Sequence, residues 1–260
     1  MMLPKQLSQD GLEIEWAGCV PYLTAWEWQK TLVKERAGQD LPHKLLLLEH
    51  PPVYTLGRRG RLENLLLNEA QLAAQGIELH RVDRGGDISY HGPGQLVGYP
   101  ILNLKRLFQA RGLARPDLHL YLRQLEEVVI QTVAEFGIEG WRYEGYTGVW
   151  VKTAVGPQKI AAIGLKVSGK GISSHGFALN VDPNLDHFAG IIACGIREHG
   201  VTSLAQLLGQ TVTVAEVIRP LIRAFAAVFE VETVLVSPSL SPYNQPQRTA
   251  DDGQRMMDGK

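Results

Sequence analysis

Cysteine is nearly missing from this chain: Cys19 and Cys194 are the only two in 260 residues. Two thiols cannot build a disulfide framework, so a cross-linked secreted mini-domain is excluded. Net charge is nearly missing as well, with 26 basic against 27 acidic residues and a formal balance of −1. No global field therefore draws the chain to nucleic acid or to an anionic membrane. The fully apolar runs fall far short of the roughly 20 residues of a membrane span, and the N-terminus does not resemble a signal peptide. A cytoplasmic protein with reduced thiols is expected. The His-x-x-x-His and Cys-x-x-Cys spacings of metal sites do not occur, so neither metal nor cofactor is expected. Gly-x-Ser-x-Gly is absent, which removes the serine hydrolases of that type. Gly164 to Gly171 copies the glycine frame of a phosphate loop, but it lacks the magnesium-binding hydroxyl and precedes a strand rather than a helix.

What is present suits an ordinary globule: 45% hydrophobic and 20% charged residues give enough material for a real core. Strand and helix patterns alternate, so the class is mixed α/β or α+β. Leu12 to Trp16 alternates as a strand. Pro21 to Arg36 reads as a helix with Ala25, Trp28 and Leu32 on one face. Leu45 to Leu48 and Val53 to Leu56 are short strands either side of Pro51-Pro52. Pro116 opens a helix whose Leu118, Tyr121, Leu122, Leu125, Val129, Val133 and Phe136 follow the 3.6-residue period, with Gly137 as its stop. Gly148 to Lys152 and Lys159 to Val167 read as a hairpin around a Gly156-Pro157 turn, and Ile172 to Val181 continues the sheet. Thr213 and Glu216 form a capping-box pattern for a last helix, which Pro220 would kink. No interdomain linker interrupts residues 1–236, and the polar run 237–260 has little to bury and reads as a disordered tail.

The chemistry-bearing residues fall in a few glycine-flanked segments. Cys194 stands in Ile191-Ile192-Ala193-Cys194-Gly195-Ile196. A buried, inert thiol is the ordinary fate of such a residue. A thiolate is also a nucleophile whose thioester stays reactive toward an amine, provided a nearby cation or base favours ionisation. Lys159 opens an otherwise apolar strand, where an inward ammonium is expensive unless used. Charged, it would lower the Cys194 pKa; neutral, it could take the proton and return it to a leaving thiol. Both roles stay open. Arg84 to Gln95 packs four glycines and a proline into twelve residues, which makes tight turns and also lets backbone N–H groups approach a ligand. His91 and His175 are each followed by glycine. Arg58, Arg59 and Arg61 cluster around Gly60, a solvated loop or a patch for an acidic protein.

Together Leu48-Glu49-His50-Pro51-Pro52-Val53-Tyr54-Thr55-Leu56-Gly57, the Arg84 to Gln95 block, Lys159 to Gly164, His175 to Asn180 and Ala193-Cys194-Gly195-Ile196 resemble the lipoyl(octanoyl)transferase family. Gly148 to Val151 and Val201 to Leu204 extend the match, which spans residues 12–235. The resemblance implies an α+β fold of the biotin and lipoate protein ligase kind, a large mixed sheet and a smaller sheet packed with helices. It implies octanoyl transfer from acyl carrier protein to a lysine of lipoyl domains, those of 2-oxoacid dehydrogenase E2 subunits and of the glycine cleavage H protein. By position, Cys194 is the thioester nucleophile and Lys159 its partner. Arg84, Gly85, Gly86, Asp87, Ile88, Ser89, Tyr90 and His91 would line the acyl site, with Ala162, Ile163 and Gly164 on a second segment. His175, Gly176, Phe177 and Ala178 would complete it. Ser89 stands where threonine is usual and Ala193 where proline is usual; neither change removes a catalytic group. Two rivals make distinct expectations. An ATP-dependent ligase would form an acyl-adenylate and need no protein thiol, and an acyl-binding scaffold would survive loss of Cys194.

Overall fold

The computed structural model describes residues 8, 10–193 and 199–236. Cys194 and the expected tail at 237–260 lie outside the described residues. The chain opens with β1 (Leu12–Cys19), α1 (Tyr22–Gly38) and β2 (His43–Glu49). β1 and β2 run parallel, which demands a crossover connection, and α1 supplies it. β3 (Val53–Leu56), β4 (Glu78–Arg81) and β5 (Ile88–His91) form a separate three-stranded sheet in the order β4-β3-β5, with the short α2 (Glu69–Ala74) between β3 and β4. β6 (Gln95–Ile101) returns to the large sheet and is followed by α3 (Leu104–Ala110) and α4 (Leu118–Ala134). β7 (Gly140–Tyr143), β8 (Tyr146–Thr153), β9 (Gly156–Val167) and β10 (Ser173–Asn180) are antiparallel neighbours. After α5 (Leu204–Leu208) and α6 (Val214–Phe229), β11 (Thr233–Val236) pairs parallel with β1. The large sheet has eight strands in the order β11-β1-β2-β6-β10-β9-β8-β7. This is the expected α+β arrangement of one large mixed sheet and one smaller sheet.

The period-two alternation of strands sorts side chains onto two covered faces. In β2, Leu45 and Leu47 enter the main core, while Leu46 and Leu48 pack with Ala25 and Trp28 of α1. The main core is closed by α4, through Tyr121, Leu125, Val128 and Val129, and by α6, through Val217, Leu221 and Phe225. The small sheet keeps its own core of Tyr54, Leu56, Ile88 and Tyr90. Main-chain bonds join the two sheets. Gly85 N–H donates to the Leu165 carbonyl at 2.9 Å, and Ile192 N–H donates to that of Asn64 at 2.8 Å.

Local departures from the sequence expectation have physical causes. α4 starts one residue after Asp117, whose carboxylate accepts from the N–H groups of His119 and Leu120; Pro116 precedes this cap. The helix ends at Ala134, so Phe136 belongs to the closing turn at Gly137 rather than to the helical stripe. The hairpin turns at Ala154-Val155. Gly156 and Pro157 already pair with Thr153 and Lys152, and a residue without an N–H is tolerated there because Pro157 stands at the start of β9, before its pairing with β10 begins at Ala161. α6 continues through Pro220 from Val214 to Phe229. The Arg84 to Gln95 block, expected as turns, contains all of β5.

Candidate active site

A narrow cleft lies between the glycine-rich segment before β5 and the face of the large sheet formed by β6, β9 and β10. Three stretches distant in sequence meet there. Arg84, Gly85, Gly86, Ser89 and His91 form one wall, Ala162 to Gly164 a second, and His175 to Ala178 a third. Tyr22, Val97 and Tyr99 complete the lining. Sequence reasoning missed these three because an aromatic or valine in an amphipathic element looks like core. The alternation of β6 offered a partial signal, since Val97 and Tyr99 share a face; Tyr22 had none.

Glycine lets the walls approach. A Cβ on Gly164 would stand 3.0 Å from the Gly85 carbonyl oxygen and 3.3 Å from Arg84 Cδ, and one on Gly176 would overlap the Gly98 carbonyl. Not every residue of the Arg84 to His91 run faces the cleft. Asp87 turns back to accept from Arg61 N–H at 2.9 Å, from Ile88 N–H at 2.8 Å and from Asn64 Nδ2 at 2.5 Å. Ile88 and Tyr90 point into the small-sheet core by strand alternation. The Tyr90 hydroxyl lies 2.7 Å from His187 Nδ1, so Tyr90 does not line the cleft, whose tyrosines are Tyr22 and Tyr99.

The cleft carries buried polar groups with defined roles. Arg84 donates to the Thr55 carbonyl at 2.6 Å, to Thr55 Oγ1 at 2.8 Å and to the Gly85 carbonyl at 3.0 Å. Among the described residues no carboxylate pairs with it, so its positive charge is available to the cleft. His91 Nδ1–H donates to Gln95 Oε1 at 2.8 Å, because the Gln95 amide nitrogen is itself donating to Asn180 Oδ1 at 2.9 Å. His91 Nε2 is thereby left as an acceptor, and burial with no compensating carboxylate holds its pKa well below the usual imidazole value. His50 Nδ1–H donates to the Val20 carbonyl at 2.6 Å, and its Nε2 accepts from the Tyr99 hydroxyl at 2.7 Å. Burial lowers His50 to about 4. In the third wall, His175 occupies left-handed backbone at φ +54°, a strained position for a non-glycine residue. Its N–H donates to Gln29 Oε1 at 2.7 Å and its Nε2–H to Asp83 Oδ1 at 2.8 Å. The His175 hydrogen bond holds the Asp83 carboxyl far below the ordinary range, with Lys166 assisting. Burial keeps His175 itself below the ordinary imidazole range.

Lys159 lies farther along β9, buried to 7% exposure. Its N–H donates to the Gly200 carbonyl and its own carbonyl accepts from Thr202 N–H, both at 3.0 Å. Its Nζ stands 4.9 Å from the Trp150 ring, inside an aromatic group that includes Tyr143, Tyr146 and His199. A bulge decides which way it faces. The register slips between Val149 and Trp150, and Ile160 and Ala161 both enter the main core. Lys159 and Ala162, three residues apart, therefore share the cleft side of the sheet. The Asn180 amide links the regions, accepting from Gln95 while donating to the Thr202 carbonyl at 2.9 Å.

A buried cation, neutral imidazoles held as acceptors and a glycine-lined slot suit an apolar chain ending in a polarised carbonyl. The family model of the lipoyl protein ligase A/B catalytic domain matches residues 21–226. An octanoyltransferase of Gloeobacter violaceus is 51% identical over 218 residues, covering 83% of this chain and 89% of its own length. The chain belongs to the octanoyltransferase family. An octanoyltransferase of Rubrobacter xylanophilus is 50% identical over 212 residues, covering 81% and 90%. Among solved structures, a bipartite lipoate protein ligase of Thermoplasma acidophilum, studied with its E2 lipoyl domain, superposes with a TM-score of 0.66 at 19% identity. The match covers 88% of each chain. A lipoate-protein ligase A bound with ATP gives 0.62 at 17% identity, covering 88% and 89%. The octanoyltransferase family thus shares the lipoate ligase fold.

Proposed function

We propose that this octanoyltransferase-family chain moves an octanoyl group from acyl carrier protein to a lysine of lipoyl domains through a thioester on Cys194. In the first half, the Cys194 thiolate attacks the donor thioester. A carbon–sulfur bond forms to Cys194, the bond to the pantetheine sulfur breaks, and the leaving thiolate takes its proton from Lys159. In the second half, the ε-amine of the lipoyl domain's lysine attacks the Cys194 thioester. A carbon–nitrogen bond forms, the bond to Cys194 breaks, and the amine's surplus proton passes to Lys159. Each half uses the same site, so the kinetics are ping-pong. The acceptors of this reading are the lipoyl domains of 2-oxoacid dehydrogenase E2 subunits and the glycine cleavage H protein, and the reaction runs in the cytoplasm.

The observation that carries this reading is the high identity to octanoyltransferases along most of the chain, together with the slot to which Ala162 to Gly164 and Gly176 to Ala178 contribute. Burying eight carbons would stabilise the acyl complex by roughly 6 kcal/mol at about 0.8 kcal/mol per methylene. Arg84, buried and without a carboxylate partner among the described residues, offers a positive field for the thioester oxygen. The test is intact-mass spectrometry after mixing the protein with octanoyl-carrier protein and no ATP. A hydroxylamine-labile octanoyl adduct on the wild type, absent from Cys194→Ala, is the expected result. Product formed only from free octanoate and ATP, with no adduct, would transfer the chain to adenylate chemistry.

A further inference from the structure

Exposed arginines gather where β3 ends. Arg58, Arg59 and Arg61 stand in the turn after Leu56, and Arg81, at the end of β4, lies in register with Leu56. The backbone of that turn is fastened to the cleft wall. Arg58 N–H donates to the Arg84 carbonyl at 2.9 Å, and Arg59 N–H donates to the Gly86 carbonyl at 3.1 Å. Arg61 is matched by Glu63 at 3.2 Å. Arg58, Arg59 and Arg81 have no acidic partner among the described residues. The nearby carboxylates are engaged: Asp83 with Trp26, Lys166 and His175, and Asp87 with Asn64 and backbone N–H groups. In a chain of net charge −1 this is a local positive excess. Leu62 and Leu66, each 55% exposed, continue the same turn as an apolar flank.

We infer that the Arg58-Arg59 turn, with Leu62 and Leu66, is the docking surface for the donor's carrier domain, an acidic protein presenting its acyl group on a phosphopantetheine arm. The inference rests on the proposed donor. Charge decides between the two partners of the reaction. The acceptor delivers a lysine, which a basic rim would repel. The donor delivers a negatively charged phosphodiester beside its thioester arm, which a basic rim attracts. The hydrogen bonds to Arg84 and Gly86 hold the backbone of Arg58 and Arg59 against the Arg84–Gly86 wall of the slot, so their exposed side chains start from its rim. The leucines supply apolar area next to the charge, as at the centre and rim of an interface.

The experiment compares wild type with R58E/R59E and R58K/R59K. It reads the Kd for octanoyl-carrier protein and for a lipoyl domain, and the rate of acyl-enzyme formation from octanoyl-carrier protein and from octanoyl-pantetheine. The expected result is a weakening of carrier binding by R58E/R59E on the order of 10- to 100-fold at low salt, shrinking as salt is raised. R58K/R59K should stay within about 3-fold of wild type, because rim steering depends mainly on charge. Acylation by octanoyl-pantetheine should be unchanged in both. Unaltered carrier binding by R58E/R59E would overturn the inference, as would an equal loss with octanoyl-pantetheine or a loss confined to the lipoyl domain. Carrier binding that depends on these arginines, without any acyl transfer, would defeat the proposed function while leaving the docking surface in place.

Discussion

The two faces of the eight-stranded sheet use the same alternation for opposite ends. Toward α4 and α6, strands β1, β2, β6, β8, β9 and β10 present mostly hydrocarbon, including Ile14, Leu47, Leu96, Val149, Ile160 and Leu179. Toward the cleft, the sheet presents Tyr99 and His175 among smaller groups, and these meet Tyr22, His50, His91 and Arg84 from other elements. Burial on the first face is favourable without any geometric condition, at about 25 cal/mol per Å². On the second, each polar tip has to find a partner or leave an uncompensated desolvation penalty. Stability is thus concentrated on one side and chemistry on the other.

The largest effect that would sharpen this contrast is Lys159→Ala. Transfer should fall by about 10²–10⁴-fold, the usual contribution of a positioned proton-transfer group, with the melting transition little changed; a large loss of stability instead would make Lys159 structural. Phe225→Ala should do the reverse. Deleting this ring from the α6 core should cost about 3–5 kcal/mol in denaturant titrations, while activity per folded molecule is kept.

Acid should strike a third kind of group, the histidines buried as neutral rings. Burial lowers His43 to about 3 and His50 to about 4. Both pKa values are depressed relative to the unfolded chain, which therefore binds more protons across the interval. The associated stability is fully present above about pH 6.5 and declines as pH falls toward 4 and 3, by up to roughly 1.4 kcal/mol per pH unit for each ring. Substituting His43 by Gln should flatten the upper part of that decline in urea unfolding curves recorded from pH 7 to 4. Tyr99→Phe is subtler. Removing its hydroxyl leaves His50 Nε2 buried without its donor, with an expected loss of about 1–3 kcal/mol and a higher KM, because Tyr99 also lines the slot. An unchanged KM would separate the His50 network from the cleft. The smallest change is Asp117→Ala at the start of α4, worth about 1 kcal/mol and silent in any transfer assay.

Much of this division could be read along the chain. The strand pattern of β2 and β9, the amphipathic period of α4 and the capping pair before α6 all follow from local spacing. The glycine-rich block and the Ala162 and Gly176 segments were legible as site material through their resemblance to a family, not through periodicity. What local spacing could not convey was convergence. Tyr22 starts a helix, Tyr99 lies inside a strand, and nothing in either neighbourhood links them to His91. The bulge that brings Lys159 to the face of Ala162 is also invisible until β8 pairs with β9. Asp87, Ile88 and Tyr90 belong to the same contiguous motif as their neighbours, and a contiguous motif suggests a contiguous surface. A strand offers only alternate residues to one side, and the others hold the small sheet together.

The glycine walls have a consequence for how such a slot can diverge. At Gly164 and Gly176 the lining is main chain; an added methyl group would overlap the Gly98 carbonyl at Gly176, and at Gly164 would crowd the Gly85 carbonyl and the Arg84 side chain. Gly176 in particular cannot be retuned gradually, since even the smallest side chain would displace the backbone of the neighbouring strand β6. Any evolutionary drift in acyl preference is therefore channelled through the lining residues that already carry a side chain on the cleft side, among them Ala162, Val97 and Ala178. The slot is conservative by construction, with its shape fixed in backbone and only its margins open to change.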